Sequence, residues 1–210
     1  IWGEIELAYE NSRGDVLAIT GTNGKTTTTS LLGAIMEHVR DSVFIVGNIG
    51  TPYTQMVTQT ADNSVTVAEI SSFQLETIEA FRPKVSAILN ITPDHLNRHH
   101  TMEEYIRVKE LITANQTPED TCVLNYEDEV LRKFGQTLSC RVIFFSSLRT
   151  LEKGISLNGD MIEYRDGNSV ISFCSTKELK LPGRHNYENV MAAAAMALAY
   201  GVSVEDICYV

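Results

Sequence analysis

The sequence predicts an α/β fold: a mostly parallel sheet of the P-loop type, flanked by helices, with a small antiparallel subsheet appended to it. Short apolar runs rich in Val and Ile alternate with helical patterns between residues 16 and 146, as in a sheet covered on both faces. One of these runs leads into a glycine-rich turn that carries a lysine. Two turn pairs, Asn158-Gly159 and Asp166-Gly167, then separate β-rich segments and predict the antiparallel part.

Each strand is predicted from a continuous apolar run bounded by turn residues, and each helix from a 3.6-residue pattern. The first strand covers residues 16–20, and a helix follows over 26–40. Further strands are predicted over residues 43–47, 64–70, 85–91, 121–125 and 141–146. Further helices are predicted over 52–57, directly after residue 70, over 102–114 and over 128–134.

The pattern changes after Ser147, where the two turn pairs predict an antiparallel meander. An alanine-rich helix is predicted within residues 181–201, with Gly201 as its C-terminal cap. Residues 204–210 resemble the beginning of another helix.

The composition is that of a globular protein, because 43% of the 210 residues are hydrophobic and 21% are charged. A net charge of −10 argues against nucleic-acid and anionic-membrane partners, which attract basic proteins. The sequence contains no run of 18 apolar residues, so it predicts no membrane span. The four cysteines lack metal-ligand spacing and suggest reduced thiols. We therefore expect a cytoplasmic protein.

The segment ITGTNGKTTTTS has the features of a phosphate loop, although its first glycine is displaced from the usual GxxxxGK[ST] spacing. Glycines let backbone N–H groups turn toward a polyphosphate, the lysine reaches its outer phosphates, and the first threonine is placed for Mg²⁺. A βα turn that merely starts a helix is the alternative. The residues expected to bind nucleotide here are Gly21, Thr22, Asn23, Gly24, Lys25, Thr26 and Thr27.

The next three strands also end in polar residues: Asn48, then Glu69 and Ser71, then His95. Parallel strands present these ends at one edge of the sheet, so we expect these side chains to meet Lys25 there. Glu69 is interpreted as a Mg²⁺ ligand, the alternative being a solvated carboxylate. His95 is interpreted as a functional residue of the same edge, the alternative being a surface polar residue. His99 and His100 are interpreted as surface polar residues.

The helix over 102–114 begins with Thr101-x-x-Glu104, which predicts a capping box. At about 100° per residue, Lys109 falls within the apolar arc of this helix. A lysine on an inward face is costly and has a lowered pKa. Lys109 is interpreted as a functional lysine facing the same cleft as His95. The alternative is that only its aliphatic part is buried and its ammonium group reaches solvent.

These residues resemble the central domain of the Mur ligases. The motifs that carry the resemblance are GTNGKTT, GNIG, EISSFQLE, NITPDHLNRH, YIRVK and LPGRHNYENVMAAAA. EISSFQLE followed by TPDHLNRH resembles the D-glutamate-adding branch. The resemblance implies that ATP phosphorylates the carboxylate of UDP-MurNAc-L-alanine and that the amine of D-glutamate then attacks the acyl phosphate.

The resemblance also implies residue roles. Lys25, Glu69, His95 and Lys109 would be catalytic, with Thr26 and Glu69 holding one Mg²⁺ and His95 a second. Lys109 would carry a CO₂-derived carbamate that binds or orients Mg²⁺. Asn48, Ser71, Gln74 and His95 would face the substrate. Asn186 and Asn189 would read adenine; their alternative role is polarity at the start of the alanine-rich helix.

We expect residues 1–13 to be a remnant of an N-terminal domain or linker and residues 14–210 to be the central ATP-binding domain. The family's UDP-binding and amino-acid-binding domains would then be absent, and this piece alone would not form the amide. The full-length enzyme is expected to be a monomer.

Three alternatives remain open. The chain could come from another Mur ligase or a ligase of the folylpolyglutamate synthetase type, which a panel of amino-acid substrates would distinguish. It could be a P-loop kinase or NTPase, which would turn over ATP without a carboxylate acceptor. It could be a non-catalytic nucleotide-binding module, although such a module has no need of a buried lysine.

Overall fold

The computed structural model describes residues 1–48, 50–180 and 183–210 of the chain. Within these residues the strands form one sheet, and the α/β prediction is confirmed. The strands are β1 Asp15–Thr20, β2 Val43–Gly47, β3 Val65–Glu69, β4 Val85–Ile88, β5 Thr121–Asn125, β6 Arg141–Ser146, β7 Lys153–Asn158, β8 Met161–Asp166 and β9 Ser169–Ser175.

The α-helices lie mainly between the strands, as a parallel sheet requires. They are α1 Glu4–Asn11, α2 Lys25–Val39, α3 Tyr53–Met56, α4 Ser72–Leu75, α5 Leu96–His99, α6 Met102–Glu110, α7 Glu129–Phe134, α8 Arg184–Tyr200 and α9 Val204–Tyr209. Short 3₁₀ turns extend α3 and α6.

The strand order is β2-β3-β1-β4-β5-β6-β7-β8-β9. All pairings from β2 to β7 are parallel, and β7, β8 and β9 form an antiparallel meander. From β1 the chain passes through α2 to β2 on one side, whereas from β4 it passes through α6 to β5 on the other. This reversal opens a crevice at the carboxyl ends of β1 and β4, where open α/β sheets bind ligands.

The sheet is covered on both faces, because successive residues of β1 enter different cores. Leu17 and Ile19 pack with α2 and with the alanine-rich face of α8. Val16 and Ala18 pack with α1 and α6 on the opposite face. This double burial explains why β1 reads as a continuous apolar run.

Several boundaries differ from the predictions. The strand expected over 85–91 ends at Ile88, since residues 89–91 turn toward the phosphate loop. Gly159 and Gly167 each occupy the first turn position, so Asn158 and Asp166 close the preceding strands. Residues 181 and 182, where the sequence predicts the start of the alanine-rich helix, lie outside the described residues, as does Ile49 of the GNIG motif.

The capping box predicted at Thr101 is only half formed. Thr101 accepts a hydrogen bond from the Glu104 backbone, but the Glu104 carboxylate accepts from Arg107 instead. The complete capping box stands at Ser71 and Gln74, at the start of α4. No helix among the described residues has the length and apolar character needed to cross a membrane.

Candidate functional site

The phosphate loop connects β1 to α2 across the sheet crevice. Gly21 and Gly24 have φ values of 151° and 85°, which side-chain-bearing residues rarely adopt. A Cβ on Gly24 would lie 2.3 Å from Asn189 Oδ1, so α8 closes directly on the loop. The first intrahelical hydrogen bond of α2 runs from Thr28 N to Gly24 O. The N–H groups in the turn before Thr28 therefore have no partner within the helix, and such groups at a helix start bind anions.

Lys25 folds back over its own loop. Its Nζ donates to Gly21 O and to Thr22 O, each at 3.0 Å. The ammonium is therefore held at the mouth of the loop, where an incoming phosphate would meet it.

Asn90 fixes the other side of the loop. Its side chain accepts from Asn23 N at 2.8 Å and donates to Asn23 O at 3.0 Å, while its backbone carbonyl accepts from Thr22 N. The motifs in the sequence assign this residue no role. The available signal was a polar residue directly after a buried strand that neighbours β1.

Glu69 lies at the end of β3 with only 1% of its surface exposed. Its carboxylate accepts from Thr26 Oγ1 at 2.8 Å and from Asn48 Nδ2 at 3.0 Å. Two of the strand ends predicted to meet the phosphate loop therefore do so. A carboxylate and a hydroxyl at this separation are oxygen ligands suited to Mg²⁺.

The described residues hold no group of three His, Cys, Asp or Glu side chains arranged for a metal. Mg²⁺ is usually held by one or two protein oxygens together with phosphate oxygens and water. The pair Thr26 and Glu69 therefore fits a magnesium ion that arrives with a nucleotide.

Lys109 points inward from α6 and is 2% exposed. Its Nζ donates to Gly21 O at 2.9 Å and lies 4.8 Å from the centroid of the Tyr105 ring. Burial, reinforced by the nearby charge of Lys25, lowers the pKa of Lys109 to about 7, while Asp94 acts in the opposite direction. The inward orientation predicted from the helical pattern is thus observed.

His95 borders the same crevice but is exposed. It has a φ of 51° and forms the N-terminal cap position of α5. Its ring centroid lies 5.1 Å from that of Phe73, and its Nε2 lies 3.5 Å from Asp94 Oδ2.

Ser71 and Gln74 differ in their relation to the crevice. Ser71 lines it, whereas the Gln74 amide oxygen accepts from Ser71 and its amide nitrogen donates to Glu4. Gln74 therefore acts indirectly: by capping α4, it holds Ser71 in place at the crevice.

A first hollow of about 230 Å³ brings most of these groups together. We call it the acceptor hollow. Its lining residues are Gly21, Thr22, Lys25, Asn48, Ser71, Ser72, Phe73, His95, Tyr105 and Lys109.

The interpretation of His99 as a surface residue is wrong, because it is 3% exposed, whereas His100 is exposed as expected. His99 Nε2 is 3.0 Å from Ser72 Oγ, and its ring stacks on Phe73. Burial lowers its pKa, and Glu76 opposes that effect. His99 therefore supports the wall of the acceptor hollow from behind.

A second hollow of about 180 Å³ lies between the phosphate loop and α8. We call it the base hollow. Its lining residues are Asn23, Gly24, Leu89, Asn90, Phe145, His185, Glu188 and Asn189.

Asn189 is buried in the base hollow and accepts from Thr28 Oγ1 at 3.4 Å. Asn186 Oδ1 accepts from Asn189 Nδ2 at 3.5 Å, in the first turn of α8, whose N-terminal cap is Gly183. His185 and Glu188 were not singled out from the sequence, although both belong to the motif that contains the two asparagines.

Comparison with known proteins identifies sequence relatives for nearly the whole chain. The profile of the Mur ligase middle domain matches residues 19–197. The UDP-N-acetylmuramoylalanine--D-glutamate ligase of Lachnoclostridium phytofermentans is 60% identical over 99% of this chain and 46% of its own length. The protein of the same name from Clostridioides difficile is 49% identical over 99% of this chain and 46% of its own length. The chain thus spans about half the length of these curated relatives.

Solved structures share the fold at low sequence identity. MurF ligase from Thermotoga maritima in complex with ADP has a TM-score of 0.70 at 21% identity, covering 98% of this chain and 50% of that chain. UDP-N-acetylmuramate:L-alanyl-gamma-D-glutamyl-meso-diaminopimelate ligase from Neisseria meningitides has a TM-score of 0.72 at 21% identity, covering 98% of this chain and 68% of that chain.

Proposed function

This chain belongs to the Mur ligase family, and from that premise we propose that it is the ATP-binding part of an enzyme that joins D-glutamate to UDP-N-acetylmuramoyl-L-alanine in peptidoglycan precursor synthesis. The names of its relatives support this choice of substrates. We also propose a cytoplasmic location, supported by the free state of all four cysteines.

The observation that carries the proposal is the meeting of two lysines and a buried carboxylate at one loop. Lys25 and Lys109 both donate to Gly21 O, and Glu69 binds Thr26 beside them. Phosphoryl transfer between two anions needs fixed positive charge, which Lys25 supplies, and a metal-binding carboxylate, which Glu69 supplies.

In the proposed reaction a carboxylate oxygen of the acceptor attacks the γ-phosphorus of ATP, and ADP leaves. The amine nitrogen of D-glutamate then attacks the acyl carbon, phosphate leaves, and the nitrogen loses a proton to form the amide. The loop residues orient the triphosphate, and Lys25 stabilises the transferring group. Asn48, Ser71 and His95 border the acceptor hollow and would orient the muramoyl-alanine carboxylate toward it.

Thr26 and Glu69 are the residues that would hold a first Mg²⁺, and His95 a second. When bound, the metal neutralises charge on the phosphates. Lys109 is proposed to react with CO₂ through its neutral amine, releasing one proton and leaving an anionic carbamate. A lysine pKa of about 7 supports this step, because a large fraction of the amine is then neutral near pH 7.

The experiment is an amide-forming assay on the protein at its natural full length. ATP, UDP-N-acetylmuramoyl-L-alanine and one amino acid at a time are supplied: D-glutamate, L-lysine or meso-diaminopimelate. Folate with L-glutamate replaces these substrates in a further reaction. We expect product only with D-glutamate, and a loss of about a hundredfold or more in kcat for Lys25→Met.

Other outcomes would identify a different function. Product with another amino acid would place the protein in a different branch of the family. ATP hydrolysis that needs no carboxylate acceptor and is insensitive to CO₂ depletion would favour a simple NTPase.

A further inference from the structure

Ser72 and His99 form a buried pair in the wall of the acceptor hollow. Each is 3% exposed, and Ser72 lines the hollow directly. Ser72 Oγ lies 3.0 Å from His99 Nε2, and no other hydrogen bond from the described residues reaches that oxygen. Neither residue has a task in the proposed reaction, although a polar contact buried at this place faces the reacting groups.

The surroundings of the His99 ring keep it neutral near pH 7. Burial is the largest cause that lowers its pKa, and the charges of Arg98, His95 and Lys109 act in the same direction. Glu76 opposes them. A neutral imidazole carries one proton, so one of its nitrogens donates a hydrogen bond and the other accepts one.

The position of Glu76 decides which nitrogen carries that proton. Its Oε1 lies 3.5 Å from His99 Nδ1, and its Oε2 accepts from the Arg98 guanidinium at 2.7 Å. A carboxylate beside Nδ1 favours the proton on that nitrogen, as in a carboxylate–imidazole–hydroxyl triad. Nε2 is then the acceptor, and the Ser72 hydroxyl donates to it.

A hydroxyl whose proton is engaged by His99 presents only its lone pairs to the hollow. Lone pairs are complementary to an N–H donor, whereas they oppose a carboxylate in the same place. In the proposed reaction an amino group must enter the hollow to attack the acyl carbon. The amino group brings the N–H donors that suit Ser72.

We propose that Ser72 accepts a hydrogen bond from the attacking amino group of the incoming amino acid, and that His99 is a positioning residue that orients the Ser72 hydroxyl. This inference rests on the proposed function, since it takes the acyl phosphate as the partner of that amino group. Aligning the nitrogen with the acyl carbon favours the second step of the reaction and leaves the first step unaffected.

The test uses the protein at its natural full length and compares the two steps. Steady-state amide formation is measured with D-glutamate or UDP-N-acetylmuramoyl-L-alanine as the varied substrate. ADP formation in a single turnover without amino acid reports the first step. The variants are Ser72→Ala, His99→Phe and the double variant, and His100→Gln on the exposed neighbour is the control.

We expect Ser72→Ala and His99→Phe each to lower kcat/KM for D-glutamate about tenfold. ADP formation and the KM for UDP-N-acetylmuramoyl-L-alanine should stay unchanged in both variants. The double variant should lose no more than Ser72→Ala alone, because His99 acts through Ser72. His100→Gln should alter none of these quantities.

Four results would overturn the inference in distinguishable ways. An equal loss in ADP formation would make the pair a support of the wall only. A change confined to the KM for UDP-N-acetylmuramoyl-L-alanine would assign Ser72 to that substrate. Additive losses in the double variant would separate His99 from Ser72. Absence of amide formation by the unaltered enzyme would overturn the proposed function as well.

Discussion

At the residue scale, the burial of Lys109 lowers the stability of the folded protein. This side chain is almost fully buried, with its Nζ on Gly21 O and beside the Tyr105 ring. A folded-state pKa of about 7 against an ordinary value of 10.5 means that folding opposes its protonation. The site is therefore built at a cost in stability, which is common where function requires a buried ionisable group.

Replacing this lysine should stabilise the protein. Between pH 7 and 10.5 the unfolded chain binds one more proton at Lys109 than the folded chain, so this lysine destabilises most at low pH and less as pH rises. We expect Lys109→Met to raise the free energy of unfolding by about 2 kcal/mol at pH 7. Its advantage over the unaltered protein should shrink by about 2 kcal/mol on going to pH 9.

Urea unfolding in CO₂-free buffer at both pH values measures the difference between the two proteins. A difference that does not shrink with pH would contradict the burial of a titrating amine. The same variant should lose ligase activity if Lys109 acts as proposed.

His99 gives a second prediction at this scale. Its pKa is lowered by burial, so the folded protein resists protonation and should lose stability as pH falls below 6.5 toward the folded-state pKa. His99→Phe also removes the partner of the buried Ser72 hydroxyl, at a cost of about 1–3 kcal/mol. His100→Gln, on its exposed neighbour, should cost little. Equal losses in the two variants, measured by thermal unfolding from pH 5 to 7.5, would contradict this role.

The inward orientation of Lys109 was predictable, whereas the burial of His99 was not. Lys109 lies in a helix with several turns, so its neighbours define an apolar face. His99 ends the single-turn helix α5, in which no period can be read, and its partners Ser72 and Phe73 are distant in sequence. Residue roles that depend on contacts between such segments need coordinates.

At the element scale, the start of α2 depends on Gly24. Its φ of 85° and the approach of Asn189 exclude a side chain for two separate reasons. Gly159 is the matched control, since it has a φ of 61° but a Cβ added there would meet nothing within 4 Å. We expect Gly159→Ala to cost about 1 kcal/mol through backbone strain and to retain nucleotide binding. Gly24→Ala should cost more and reduce nucleotide affinity at least tenfold, as a titration of both variants would show.

A buried carboxylate of helix α1 anchors it to the domain, in addition to its apolar contacts. Glu6, with 1% of its surface exposed, accepts from the backbone N–H groups of Glu79, Ala80 and Phe81. The prediction that residues 1–13 derive from a separate domain or linker stays a prediction, but this segment packs here as part of the fold.

Truncating that carboxylate should weaken the docking of the helix. Glu6→Ala leaves three N–H groups without their acceptor, and we expect a loss of about 3 kcal/mol in the free energy of unfolding. Glu10→Gln, on an exposed glutamate of the same helix, should change it by less than about 0.5 kcal/mol. Similar urea midpoints for the two variants would contradict the anchoring role of Glu6.

Most elements were predictable from local patterns, but the end of β4 and the helices α1 and α5 were not, and each has a physical cause. The single turn of α5 is too short to show a helical period. β4 ends earlier than its apolar run, because Asn90 leaves the sheet to bond the phosphate loop. α1 was not predicted as a helix, since its docking depends on the distant segment 79–81.

At the scale of the whole molecule, the alternation of strands and helices predicted the parallel sheet and its appended meander. The order of the strands was not predicted, because pairing of β1 with β3 and β4 joins segments far apart in sequence. That order is what brings the phosphate loop, Glu69 and α6 to one crevice, so the site could be proposed as a set of residues but not as a geometry.

The carbonyl oxygen of Gly21 accepts hydrogen bonds from two lysine side chains, Lys25 and Lys109. A triphosphate that draws Lys25 outward relieves their mutual repulsion and adds negative charge nearby, so the pKa of Lys109 should rise. Nucleotide binding near neutral pH should then draw a proton from the buffer. Calorimetric heats measured in CO₂-free buffers of different ionisation enthalpy should reveal this uptake, and Lys109→Met should abolish it. Prior incubation with bicarbonate should also suppress the proton uptake, because a carbamylated Lys109 has no neutral amine left to protonate. CO₂ would then have to react with Lys109 before ATP binds.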